Sequence, residues 1–210
     1  MTEALSAAVT VFASTLITLI VIMDPPGAVP IFLALTSRMS PTERSAAALR
    51  ASLVALGVIA AFAVFGQRIL DYLHVSLAAL QGAGGLLLLL VALQMLTGQE
   101  SEAMADAGVN VAMVPLGTPL LAGPGAIVAM MLAVQQAGGA AGAAGYLAVG
   151  LALLATMLVV YVFLRFATVV RRLLGESGTM LATRIAGLLL SAIAVQMVAS
   201  AVRAFVTQGI

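Results

Sequence analysis

The sequence predicts an all-α polytopic membrane protein of six transmembrane helices, built as two inverted three-helix repeats with helices 1 and 4 broken. Three observations carry that reading. The 210 residues are 63% hydrophobic and 8% charged, with a mean hydropathy of +1.19. Apolar runs longer than about 18 residues, the length that spans a bilayer as a helix, recur along the chain. Two of these runs carry proline-glycine interruptions, at Asp24-Pro25-Pro26-Gly27-Ala28-Val29-Pro30 and at Pro115-Leu116-Gly117-Thr118-Pro119 running into Ala122-Gly123-Pro124-Gly125-Ala126. Long unalternating runs between short polar loops exclude a transmembrane β-barrel. The start lacks the basic n-region of a signal peptide, so the first run is expected to be retained.

The first segment, about 4–36, holds one ionisable side chain, Asp24. Its 33 residues would make a straight helix of roughly 50 Å against a hydrocarbon core of about 30 Å, so an unbroken span is not expected. Two prolines remove backbone donors and bias the residue before each away from helical geometry. The helix should therefore stop near Asp24 and restart near Gly27, with free carbonyls ending the first half and free N–H groups opening the second. Backbone left unpaired at membrane depth is tolerated only against protein or a wet cavity, which makes the break a candidate ligand site.

The remaining segments are expected at about 45–66, 76–97, 110–136 (broken), 143–166 and 181–206. The connections near 37–44, 98–109 and 167–180 then share one side of the membrane. Arg38, Arg44, Arg50, Arg165, Arg171, Arg172 and Arg184 lie on or beside it, against Arg68 and Arg203 on the other. Arginine excess marks the cytoplasmic side, so both termini are expected on the periplasmic or extracellular face; the carboxylates of Glu100, Glu102 and Asp106 weigh little in this rule.

The single transmembrane domain, 1–210, also repeats itself. Pro26-Gly27-Ala28-Val29 matches Pro124-Gly125-Ala126-Ile127, and Gly85-Leu86-Leu87-Leu88 with Ala92-Leu93-Gln94-Met95 matches Gly187-Leu188-Leu189-Leu190 with Ala194-Val195-Gln196-Met197. Units of three spans each, 1–105 and 106–210, would sit upside down relative to one another. Inverted repeats with interrupted helices in corresponding positions characterise secondary transporters.

Half-helices restarting at Gly27 and Gly125 would aim N–H groups and partial positive charge at a carboxylate near the midplane, while the carbonyls ending the preceding halves suit an ammonium group or a cation. A zwitterion fits both. Glycines at 27, 117, 123 and 125 leave the backbone uncovered, favouring a substrate the size of a small neutral amino acid. The substrate contacts expected on this basis are Asp24, Pro26, Gly27, Ala28, Val29, Thr118, Gly123, Gly125, Ala126, Ile127, Gln94 and Gln196. Asp24 has a plainer reading as a helix stop at the interface, since 4–23 alone could span. At the midplane its charge would cost about 2.5–3.5 kcal/mol, a cost retained for binding a proton, a coupling sodium ion or the substrate ammonium. Gln94 and Gln196 could equally serve as glue between helices. Ser14, Thr15 and Thr18 could offer hydroxyls to the coupling ion or bond back to the preceding turn. Arg184 either pairs with Asp24 or reaches to the headgroups. His74 reads as a loop residue, and the small residues at Gly138-Gly139-Ala140-Ala141-Gly142 serve internal packing or a homo-oligomer equally well.

Some chemistry is excluded. With no cysteine, no lysine and one histidine, thiol, disulfide and Schiff-base chemistry are absent, and a His-based metal site or an enzyme is not expected. A net charge of +1 is no footprint for nucleic acid. No cofactor is implied.

Over essentially its whole length, and most specifically at Asp24-Pro25-Pro26-Gly27 with Pro30-Ile31-Phe32 and at Pro115-Leu116-Gly117-Thr118-Pro119 with Ala122-Gly123-Pro124-Gly125, the chain resembles the MarC family of inner-membrane proteins. The SnatA-type neutral amino acid transporters belong to it. Arg184 matches the arginine of the family's sixth helix. The resemblance implies six membrane helices, the first and fourth broken, and glycine or alanine as substrates. Two positions depart from the family pattern: Asp24 stands where asparagine is usual, and Gln81 where the third helix commonly has arginine. The family's name records a link to antibiotic resistance, but nothing in these residues supports drug efflux. The expected function is thus a secondary transporter of a small neutral amino acid, possible coupling being to H+ or Na+; the alternatives are a small-solute or ion channel and a non-transporting membrane scaffold.

Overall fold

A computed structural model of the chain describes residues 2–36, 38–97, 121–138 and 142–208. These residues form helices only: α1 (Thr2–Met23), α2 (Pro25–Leu35), α3 (Pro41–Tyr72), α4 (Leu77–Thr97), α5 (Pro124–Ala137), α6 (Gly142–Arg165) and α7 (Ala167–Gln208). Five helical stretches are long and apolar enough to cross a membrane: Leu5–Val29, Pro41–Tyr72, Leu77–Thr97, Gly142–Arg165 and Met180–Thr207. A shorter apolar helix, Gly125–Ala137, accompanies them.

Several ends fall where local chemistry puts them. α3 starts at Pro41 because Ser40 accepts from the Glu43 N–H at 3.3 Å while its own N–H donates to Glu43 Oε2 at 2.8 Å, a reciprocal cap with proline at the first helical position. It then runs on to Tyr72, beyond the expected end at 66, and closes in a turn where His74 takes a left-handed φ of 54° and is exposed. The stretch 167–180, expected as a connection, is helical as well. α7 takes it in and absorbs the change of direction at Gly175, whose φ of 66° is open to glycine without a Cβ clash.

Many large apolar side chains lie on the outside. On α6, Leu147, Leu151, Leu154 and Leu158 form an exposed stripe, while Gly145, Ala148, Ala152, Thr156 and Val160 are buried. That is the pattern for a helix with lipid on one side: leucine loses nothing by facing acyl chains, and small residues let backbones approach. α1 and α3 flank α6, α4 lies along α7, and α2 rests on α7 and α6. Short α5 touches α1, α3, α4 and α6 and so occupies the middle of the bundle.

α4 and α7 approach one another closely enough for glycine to meet backbone. A Cβ on Gly85 would lie 2.9 Å from the Ala194 carbonyl oxygen and 3.1 Å from Met197 Cβ. A Cβ on Gly187 would lie 3.2 Å from the Ala92 carbonyl oxygen and 3.0 Å from Met95 Cβ. Leu88, Ala92, Met95, Leu190, Ala194 and Met197 close around these contacts as one buried cluster, with Val128 of α5 inserted. Three buried hydroxyls donate to the carbonyl one turn back: Thr36 to Phe32 O, Ser52 to Ala48 O and Thr156 to Ala152 O.

Candidate functional site

The first break is tighter than the sequence suggests. Only Asp24 leaves helical geometry, with φ at +39°, a region that Asp tolerates better than most side chains. Its N–H still donates to Ile20 O at 3.0 Å, and its carbonyl already accepts from Ala28 N at 3.0 Å. The second half therefore restarts at Pro25 rather than Gly27, because prolines at the first two helical positions lack only donors that would have had no partner there. Gly27 carries the first N–H of α2, and it faces the carboxylate of Asp24. Asp24 is 9% exposed, and its Oδ2 completes no hydrogen bond.

The expectation that glycines leave the backbone open to a ligand is corrected at both breaks. A Cβ on Gly27 would sit 1.8 Å from Asp24 Oδ2 and 3.3 Å from Thr183 Oγ1 of α7. A Cβ on Gly125 would sit 2.4 Å from Leu88 Cδ2 of α4. Protein atoms fill each place. At the second break Gly123 precedes α5 in extended geometry with no side-chain cap, and its carbonyl accepts from Ala126 and Ile127. Ala28 and Val29 from the first break and Ala126 from the second share one buried cluster. Pro26 and Ile127 are partly buried at the edges of these turns. Thr118 and the rest of 98–120, with Gly117 and the acidic loop, lie outside the described residues.

Open space lies about two to three turns away. A cavity of about 270 Å³, half open, is bounded by Ser14, Thr15 and Thr18 of α1, Gln136 of α5 and Gln196 of α7, on an apolar wall that includes Leu132 and Met197. Ser14 donates its hydroxyl proton to Val11 O at 3.1 Å, which leaves its lone pairs for another donor. Gln196 Nε2 reaches Ser200 Oγ at 3.3 Å. Two helices, α1 and α7, thus bring together Ser14, Thr15, Thr18 and Gln196, which the sequence nominates only separately. Gln136 escapes a reading of the sequence, since nothing there distinguishes it from Gln135 beside it. Gln94, the counterpart of Gln196 in the repeat, does not line this cavity and is exposed on α4. Arg184 is exposed too, which favours the headgroup reading over a buried pair with Asp24. Thr183, which faces the first break, escapes in the same way; the charge of its neighbour Arg184 is the stronger signal.

The sequence model describing MarC family integral membrane proteins matches residues 9–206, nearly the whole chain. The chain belongs to the MarC family. Its MarC relatives include a UPF0056 membrane protein of Methanocaldococcus jannaschii, 39% identical over 189 residues that cover 87% of this chain and 91% of the relative. The UPF0056 membrane protein YvbG of Bacillus subtilis is 30% identical, covering 89% and 92%. The UPF0056 inner membrane protein YhgN of Escherichia coli is 33% identical, covering 90% and 95%. No solved structure matches this MarC chain.

Proposed function

We propose that this MarC protein is a secondary transporter that moves a small neutral amino acid, of the size of glycine or alanine, across the inner membrane, where the Escherichia coli relative is named as residing. One observation carries the proposal: the cavity between α1, α5 and α7 presents five uncharged hydrogen-bonding side chains and, among the described residues, no ionisable one. A zwitterion has no net charge and needs no net counter-charge. Its carboxylate takes donors from hydroxyls and amides, and its ammonium takes acceptors from the same groups. At about 270 Å³ the space lies at the low end of ligand sites, enough for a small solute with a few waters of about 30 Å³ each.

The reciprocal contacts of Gly85 with Ala194 and Met197, and of Gly187 with Ala92 and Met95, support the inverted-repeat reading, with six spans divided between 1–105 and 106–210. Equivalent residues exchanging equivalent contacts are what a two-fold relation between two segments produces. On this reading the two broken helices flank the carrier site, and rocking one unit against the other would open the cavity to alternate sides. The arginine bias supports termini on the outer face. The substrate contacts move about two to three turns from the breaks, to Ser14, Thr15, Thr18, Gln136 and Gln196.

Counterflow in proteoliposomes is the test. Liposomes preloaded with unlabelled glycine or alanine should transiently accumulate the labelled amino acid, and the rate should saturate. Flux that never saturates would indicate a channel, and no flux for any amino acid would reject transport.

A further inference from the structure

We propose that the kink at Asp24 is a binding site for a monovalent alkali-metal cation, separate from the amino acid cavity, held by Asp24 Oδ2, Thr183 Oγ1 and the carbonyl oxygens of Val21 and Ile22. In an α-helix the carbonyl of residue i takes the N–H of residue i+4. For Val21 and Ile22 those partners are Pro25 and Pro26, which have no N–H. For Met23 the partner is Gly27, whose N–H faces the Asp24 carboxylate instead. The end of α1 therefore collects acceptors that the chain's own backbone leaves without donors. A broken helix ending in free carbonyls is a recurring means of coordinating cations inside membranes.

Two further observations point to a ligand. Asp24 Oδ2 is buried and completes no hydrogen bond, an arrangement costly for a carboxylate unless a cation or a proton meets it. Thr183 Oγ1, from a different helix, converges on the same point: both oxygens crowd the place where a Cβ of Gly27 would be, at 1.8 and 3.3 Å. Only glycine leaves that spot to oxygen atoms. The charge is right for one monovalent ion, because the site holds one carboxylate. The nearest basic residue along α7, Arg184, is exposed, and among the described residues no group of three acidic, histidine or cysteine side chains forms a site for a multivalent metal.

The experiment uses the full chain in nanodiscs, without amino acid, and follows thermal unfolding in sodium, potassium or choline chloride at equal ionic strength and fixed pH. Sodium or potassium should raise the midpoint saturably above choline. Asp24→Asn, near-isosteric and uncharged, should abolish the difference. Thr183→Ala should raise the half-saturating concentration about tenfold, the effect of removing one bond to a charged ligand, and Thr183→Ser should restore it. Identical behaviour in all three salts would overturn the site. So would a cation response that survives Asp24→Asn. Repeated over a range of pH, a midpoint that moves with pH but not with the cation would assign Asp24 to proton binding and overturn the proposal. The readout requires no transport, so a negative counterflow result leaves it untouched, and the reverse holds.

Discussion

Gly85 lies against the backbone of Ala194, close enough that a Cβ would come within 2.9 Å of the carbonyl oxygen. Backbone cannot swing aside as a flexible side chain can, so α4 and α7 are spaced by the absence of one methyl group. Gly85→Ala should lower stability by about 1–3 kcal/mol, the range for overpacking a close contact. Gly57 on α3 has open space where a methyl group would go, with nothing within 4 Å, and Gly57→Ala should be neutral or gain about 0.4–1 kcal/mol from the unfolded chain's lost freedom. Thermal unfolding of the two variants in one detergent checks both signs.

At the first break, Gly27→Ala should cost a similar 1–3 kcal/mol, because its methyl must displace Asp24 Oδ2 from 1.8 Å. The two residues are coupled, so Asp24→Ala should remove much of that penalty. A double-mutant cycle should show an interaction of about 0.5–3 kcal/mol, and additive effects would mean that the carboxylate does not occupy that space.

In the cavity, Gln136→Leu and Thr18→Val each remove one hydrogen-bonding group while keeping much of the volume. If the zwitterion rests there, each should raise KM for counterflow roughly three- to tenfold, since one hydrogen bond contributes about 0.5–1.5 kcal/mol. Gln94→Leu, on the exposed face of α4, should leave KM unchanged. Equal effects at Gln94 and Gln136 would move the substrate elsewhere.

The cap that begins α3 offers a measurement outside the lipid. Ser40→Ala removes the hydroxyl that accepts from the Glu43 N–H, leaves the backbone N–H of residue 40 its bond to the Glu43 carboxylate, and should cost about 1 kcal/mol in thermal unfolding. Glu43→Gln retains a side-chain acceptor and should cost less.

Orientation can be read by labelling, because the chain has no cysteine of its own. Thr42→Cys, at the exposed start of α3, should react with an impermeant maleimide only after the cytoplasmic face is opened. Tyr72→Cys, at the exposed far end of the same helix, should react from outside in intact cells. The reverse pattern would invert the arginine argument.

The sequence by itself determined that this chain lives in a bilayer, that long apolar helices build it, and that Pro25 and Pro26 interrupt the first of them. Those properties follow from hydropathy and from missing N–H groups, which are local. Partnership is not local. Gln94 and Gln196 stand in matching sequence contexts and both are exposed, yet only Gln196 borders the cavity, because which helices converge beside a residue is set by how the helices pack, with Gly85 and Gly187 at the contact of α4 and α7. The same physics took Gly27 and Gly125 from the ligand and gave their space to Asp24 and Leu88, and brought Thr183 across from α7 to complete a cluster of oxygens that no spacing along the chain foretells.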